Sequence, residues 1–163
     1  MSRLLAVLLL ICTSMAAAAQ ESGQALAKAM QSMRTGNWAA AQIEARGDGQ
    51  IAVDVILWHA LRSGRGDSEE VMDFIARNPD WPGMDYLREK SEPIMADEAT
   101  NAQIQHFFSD HQPQSGAGAL ALARVHMTEG DEGLAQADIV LAWRTLDLST
   151  AEHDLFLAEH GPL

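Results

Sequence analysis

Cysteine is all but missing: the 163 residues contain one, Cys12, close to the N-terminus. Positive charge is scarce as well, with 11 Lys and Arg against 23 Asp and Glu, a formal charge of −12, and the cations scattered singly. Proteins that bind nucleic acid need clustered Lys and Arg to displace counterions, so nucleic acid is excluded as a partner. No alternation of β-branched residues runs long enough to make a strand. No apolar run approaches the roughly 20 residues that cross a bilayer. What the chain does have is a 47% hydrophobic content with only 6% aromatics, the stock of a core built from helices.

Residues 1–20 read as an export signal. Arg3 supplies the charged start, Leu4 to Ile11 the apolar run, and Ala16 to Ala19 an Ala-x-Ala cleavage site before Gln20 or Glu21. The apolar run is too short for a stable anchor. Cys12 lacks the small residue expected before a lipidated cysteine and sits too early. Cleavage removes Arg3 and Cys12 together, leaving a mature chain of charge −13 without thiols. Such a chain, exported to an oxidising compartment, is held by packing alone, and the bacterial style of the signal places it in the periplasm.

From residue 21 to 163 the pattern is one all-α domain of about nine short amphipathic segments punctuated by Gly, Pro and Asn. The segment Ile51 to Arg62 is apolar on nearly every face, as expected of a helix between neighbours. Ser68-Glu69-Glu70 opens a helix that the two prolines of Asn78-Pro79-Asp80-Trp81-Pro82-Gly83 bring to a stop. Met84 to Met95 follows, with a break expected near Pro93. Thr100 caps the next helix, Ala117 to Met127 is small enough to let neighbours approach closely, and Ser149-x-x-Glu152 has capping-box spacing. Gly turns join these segments at Thr35-Gly36-Asn37, Ser63-Gly64-Arg65-Gly66 and Glu129-Gly130-Asp131. Short helix pairs joined in this way suggest an α-superhelix or solenoid of TPR-like type, with an ordinary helical bundle as the alternative.

Chemistry is harder to find. The six histidines contain no His-x-x-x-His pair, and His106 and His111, five apart, are expected to diverge around a helix, so no metal site is predicted. Phosphate loops and nucleophile elbows are absent, and no cofactor is implied. Glu69/Glu70, Asp97/Glu98 and Asp131/Glu132 fall where acids cap helices or meet solvent, so none is assigned a catalytic role. Trp38, Trp58 and Trp143 lie in apolar stripes and are expected between helices. Trp81, between prolines, is the most exposed candidate.

Certain stretches do resemble a known family. Asp54-Val55-Ile56-Leu57-Trp58-His59-Ala60-Leu61-Arg62-Ser63-Gly64-Arg65-Gly66, Phe74-Ile75-Ala76-Arg77-Asn78-Pro79-Asp80-Trp81-Pro82-Gly83, Phe107-Phe108 with Pro113, and Ala142-Trp143-Arg144 are similar to the N-terminal superhelical, U-shaped region of bacterial soluble lytic murein transglycosylases. The resemblance spans about Leu26 to Leu163. It implies an arm of paired helices beside a lysozyme-like domain that cleaves the glycosyl bonds of peptidoglycan, leaving 1,6-anhydromuramic ends. The catalytic glutamate-serine signature has no match here: Glu21-Ser22 lies at the signal junction, and Ser91-Glu92 has the order reversed before Pro93.

The expectation is therefore a non-catalytic helical arm, the front part of a longer periplasmic enzyme of cell-wall turnover, whose partners are glycan strands. Asp80 and Trp81 are its candidate contact residues. On that view an apolar C-terminal face, from Leu155, Phe156 and Leu163, stays exposed. The competing expectation is a free-standing exported repeat scaffold that binds a protein partner, one with basic patches complementary to the acidic chain. A small metal- or ligand-binding bundle fits the length, but no convergent polar cluster stands behind it.

Overall fold

The computed structural model describes residues 23–161; residues 1–20, where an export signal is expected, and Leu163 lie outside them. Among the described residues every regular element is helical, with nine α-helices, one short 3-10 turn and no strand. The chain divides into two compact units, with the boundary between His59 and Ala60.

The first unit holds α1 (Gln24–Arg34), α2 (Trp38–Ala45), the 3-10 turn (Arg46–Asp48) and α3 (Gln50–Arg62) as far as His59. Its core is small by composition: Ala29, Ala41, Ala45, Ala52 and Ile56 are buried, and Leu26, Met30, Met33 and Val53 close around them. Alanines at the contact let helix axes come close together. Asn37 caps α2 by accepting from the Ala40 N–H. No side chain of its own caps α1; instead Asp48, from the 3-10 turn, accepts the Leu26 N–H at 2.7 Å. Glu44 on α2 reaches back to Ser32 (2.7 Å) and Lys28 (3.1 Å) on α1.

The second unit begins with the end of α3 and continues through α4 (Ser68–Arg77), α5 (Met84–Glu98), α6 (Asn101–Phe107), α7 (Gly116–Glu129), α8 (Glu132–Thr145) and α9 (Thr150–His160). The cap of α4 is Asp67 rather than Ser68: Asp67 and Glu70 form a reciprocal capping box, while the Ser68 N–H donates to Glu98 at 3.1 Å. Val71 and Phe74, three apart on one face, are fully buried, each stabilising the fold by about 2 kcal/mol. Pro93 does not break α5, which runs through it to Glu98. Pro93 is exposed, so the carbonyl it leaves without a partner one turn back can turn to water.

Helix α7 is the centre of this unit, touched by α5, α6, α8 and α9. Its small side chains explain that position, since Gly116, Gly118, Ala119, Ala121 and Ala123 are all buried. One core cluster joins Ala119, Leu120 and Ala123 of α7 to Ala135, Ile139 and Ala142 of α8 and Phe156 of α9. Arg124 pairs with Glu159 of α9, and His126 meets Asp138 of α8 at 2.7 Å.

Candidate functional site

The segment Asn78 to Gly83 joins α4 to α5, and each of its residues has a local reason. Asn78 ends α4 and is buried, its side-chain amide donating to the Phe74 carbonyl at 3.2 Å. The Trp81 N–H donates to the Asn78 carbonyl, and the Trp81 ring stands edge-on to Phe74, 5.4 Å between centroids. Gly83 begins α5 at φ 70°, in the left-handed region. Trp81 is thus only half exposed, seated over the core as a plug, while Asp80 beside it is exposed. Tyr86, one turn into α5 and 44% exposed, lies between the cations of Arg62 and Lys90, each 5.2 Å from its ring centre.

A general acid needs a raised pKa together with access to substrate. Burial pushes two carboxyls up, those of Glu92 and Glu70. Glu70 belongs to the α4 capping box. Glu92 is 1% exposed, and both its oxygens are engaged: one accepts the Gln114 N–H (2.8 Å), the other the Ser115 N–H (2.7 Å) and hydroxyl (2.5 Å). Glu92 therefore fastens α5 to the start of α7. Glu152 works on the same helix start from α9, accepting the Ala117 N–H while completing its own capping box with Ser149. Burial works to raise the Glu152 carboxyl, but the bonds from Ser149, Ala117 and Gly116 outweigh it and hold the group below its ordinary value. Two anions at one helix N-terminus match its unpaired N–H groups and dipole. The glycines there are required: a Cβ on Gly118 would lie 2.8 Å from the Glu92 carboxyl carbon and 3.0 Å from Phe108, and one on Gly116 2.9 Å from Leu148.

The apolar surface of the second unit lies between α8 and α9. Ile139, Val140, Trp143 and Arg144 face Phe156, Leu157 and His160 across a groove of about 330 Å³. Phe156 is its buried floor, at 1% exposure, contrary to its expected place on an open face. Leu155 is exposed as expected, and Val140, Leu141, Trp143 and Leu157 join it at 42–50% exposure. Trp143, expected between helices, packs instead at the groove wall, 4.5 Å from His153 and 6.2 Å from Phe156.

His106 and His111 do not diverge. Helix α6 ends at Phe107, so the chain has turned before His111, and both imidazoles line a recess of about 140 Å³ with Arg88, Asp110, Met72 and Ile75. A helix end one residue past His106 was the missing information; the unfavourable run Ser109-Asp110-His111-Gln112-Pro113 is its only trace in the sequence. Among the described residues no group of three or more His, Cys, Asp or Glu is placed to hold a metal ion, and no helix is long and apolar enough to cross a membrane. Against known protein families, curated proteins and solved structures, the chain has no match.

Proposed function

We propose that this chain is the non-catalytic helical arm of an exported lytic transglycosylase, a superhelical region that brackets peptidoglycan glycan strands while another domain cuts them. The observation that carries this is the open apolar side of the α8–α9 pair, where Val140, Trp143 and Leu157 line a groove. A stack of helix pairs presents such a side to its next pair, because one pair cannot bury its own apolar surface. The resemblance residues have fitting places: Asn78 to Gly83 is a built joint between helices, and Trp143 and Arg144 lie on the open side, next to the buried Ala142. The carboxyls raised by burial serve as caps and clamps, which suits an arm that does no cutting.

Residues 1–20 would carry the arm to the periplasm and be removed there, and Asp80 and Trp81 remain its candidate glycan contacts. The test is to read the gene onward from the Leu163 codon. Further helix pairs followed by a glutamate-serine motif in a lysozyme-like domain are expected. A stop codon at that point overturns the arm, and the α8–α9 side then belongs to the second reading, a free-standing scaffold with a protein partner. Co-sedimentation of the mature chain with purified peptidoglycan sacculi adds a second route, since pelleting with sacculi supports the arm.

A further inference from the structure

The recess at the end of α6 carries an inference that stands whether or not the chain is an arm. Three nitrogen-bearing side chains line it: Arg88 from α5, and His106 and His111 on either side of the α6 C-terminus. Arg88 is fixed from behind, with one guanidinium N–H on the Phe107 carbonyl (3.2 Å) and its carbon 5.5 Å above the Phe107 ring. Burial makes that charge harder to keep, with Asp110 and Asp85 helping to hold it. Among the described residues neither imidazole has a hydrogen-bond partner. Met72, Ile75 and Ala76 of α4 make the remaining wall apolar. In a chain of charge −12, such a gathering of donors is unusual.

We propose that this recess binds a small organic carboxylate bearing a short alkyl group. A planar guanidinium already held in place matches a carboxylate, and the imidazoles add donors. A volume of about 140 Å³ admits a group of two to four carbons, whose alkyl end meets Met72 and Ile75. Inorganic phosphate would leave that apolar wall uncovered. The charged and titratable groups around the ligand are Arg88 and the nearby Asp85 from α5, and His106, Asp110 and His111 from the end of α6; α4 contributes none to the lining. Arg88 carries the positive charge, with Asp110 and Asp85 favouring its ionised form, and the imidazoles contribute ring nitrogens for hydrogen bonding.

The test is a titration of the full chain with propionate, propionamide and inorganic phosphate, followed by the imidazole C–H resonances in proton–carbon NMR spectra. Propionate is expected to shift the His106 and His111 resonances saturably, leaving His59 and His153 in place. Propionamide should shift neither resonance, and phosphate should bind at least fivefold more weakly than propionate. The double substitution His106→Gln with His111→Gln should weaken propionate at least fivefold, as read from the Met72 methyl resonance, without changing the melting temperature. Equal shifts with propionamide, phosphate binding as tight as propionate, or no shift with any of the three would overturn the proposal.

Discussion

Glu92 and Gly118 should behave as one unit under mutation. Replacing Glu92 by Ala removes an acceptor of three hydrogen bonds and strands N–H groups at the start of α7. Hydrogen bonds to an ionised acceptor are worth more than neutral ones, and part of the loss is returned by no longer burying a carboxylate, so the net cost is about 3 kcal/mol. In a unit of this size that lowers the melting temperature by about 14 °C. Gly118→Ala alone should cost about 2 kcal/mol, because its new methyl meets a carboxylate that three bonds hold in place, and this outweighs the better helix propensity of Ala. In the double variant the methyl enters the space the carboxylate has left. The second substitution should then cost less than about 0.5 kcal/mol, a coupling near 1.5 kcal/mol. Urea denaturation of the four proteins, followed by far-ultraviolet circular dichroism, measures the cycle. Additivity within about 0.5 kcal/mol would refute the reasoning, since it would mean that the two side chains do not compete for the same space.

Other consequences can be checked in the same preparations. The Glu152 carboxyl is lowered in the fold, so its stabilisation is complete above the ordinary value of 4.5 and is lost as pH falls through the lower folded value. Glu152→Gln should accordingly flatten the acid limb of a melting-temperature profile below about pH 4.5. Glu92 has the opposite sign: its raised carboxyl favours the protonated fold, so its cost grows as pH rises from 4.5 to the folded value and is constant above, and Glu92→Gln should remove that slope. Asp67→Ala breaks the α4 capping box and should cost about 1 kcal/mol by chemical denaturation. Trp143→Ala should lower native-state binding of an apolar fluorescent dye severalfold by opening the wall of the α8–α9 groove, at a stability cost of about 1 kcal/mol; unchanged fluorescence would place the dye elsewhere.

Much of the fold is written in local chemistry. Asn37, Thr100 and Ser149 cap the helices their side chains suggest, and the small residues from Gly116 to Ala123 are buried where helices meet. Pro93 misleads because a proline breaks a helix through the carbonyl one turn before it, and the cost depends on whether that carbonyl faces water, which spacing does not reveal. Phe156 and Trp143 exchange their expected roles for a similar reason: both are large and apolar, and only the rotation of α8 and α9 on α7 decides which becomes floor and which becomes wall. The clamp on α7 was legible in part. Gly116 and Gly118 signal close approach, but their partners, Glu92 and Glu152, stand 24 to 36 residues away and look like ordinary helix acids. The recess at the end of α6 was hidden by a single boundary, since one more helical turn would have parted its two histidines.

The double clamp also sets when the second unit can be finished. Glu92 is made early, the α7 start some twenty residues later, and Glu152 only after α8 has been laid down. During synthesis, α7 can therefore gain its second anchor only once α9 has emerged. The amides around its start divide accordingly: those of Gln114 and Ser115 should gain protection from hydrogen exchange when α5 engages, and that of Ala117 when α9 arrives. A probe at one short stretch of backbone would thus report the assembly of three helices that are distant along the chain.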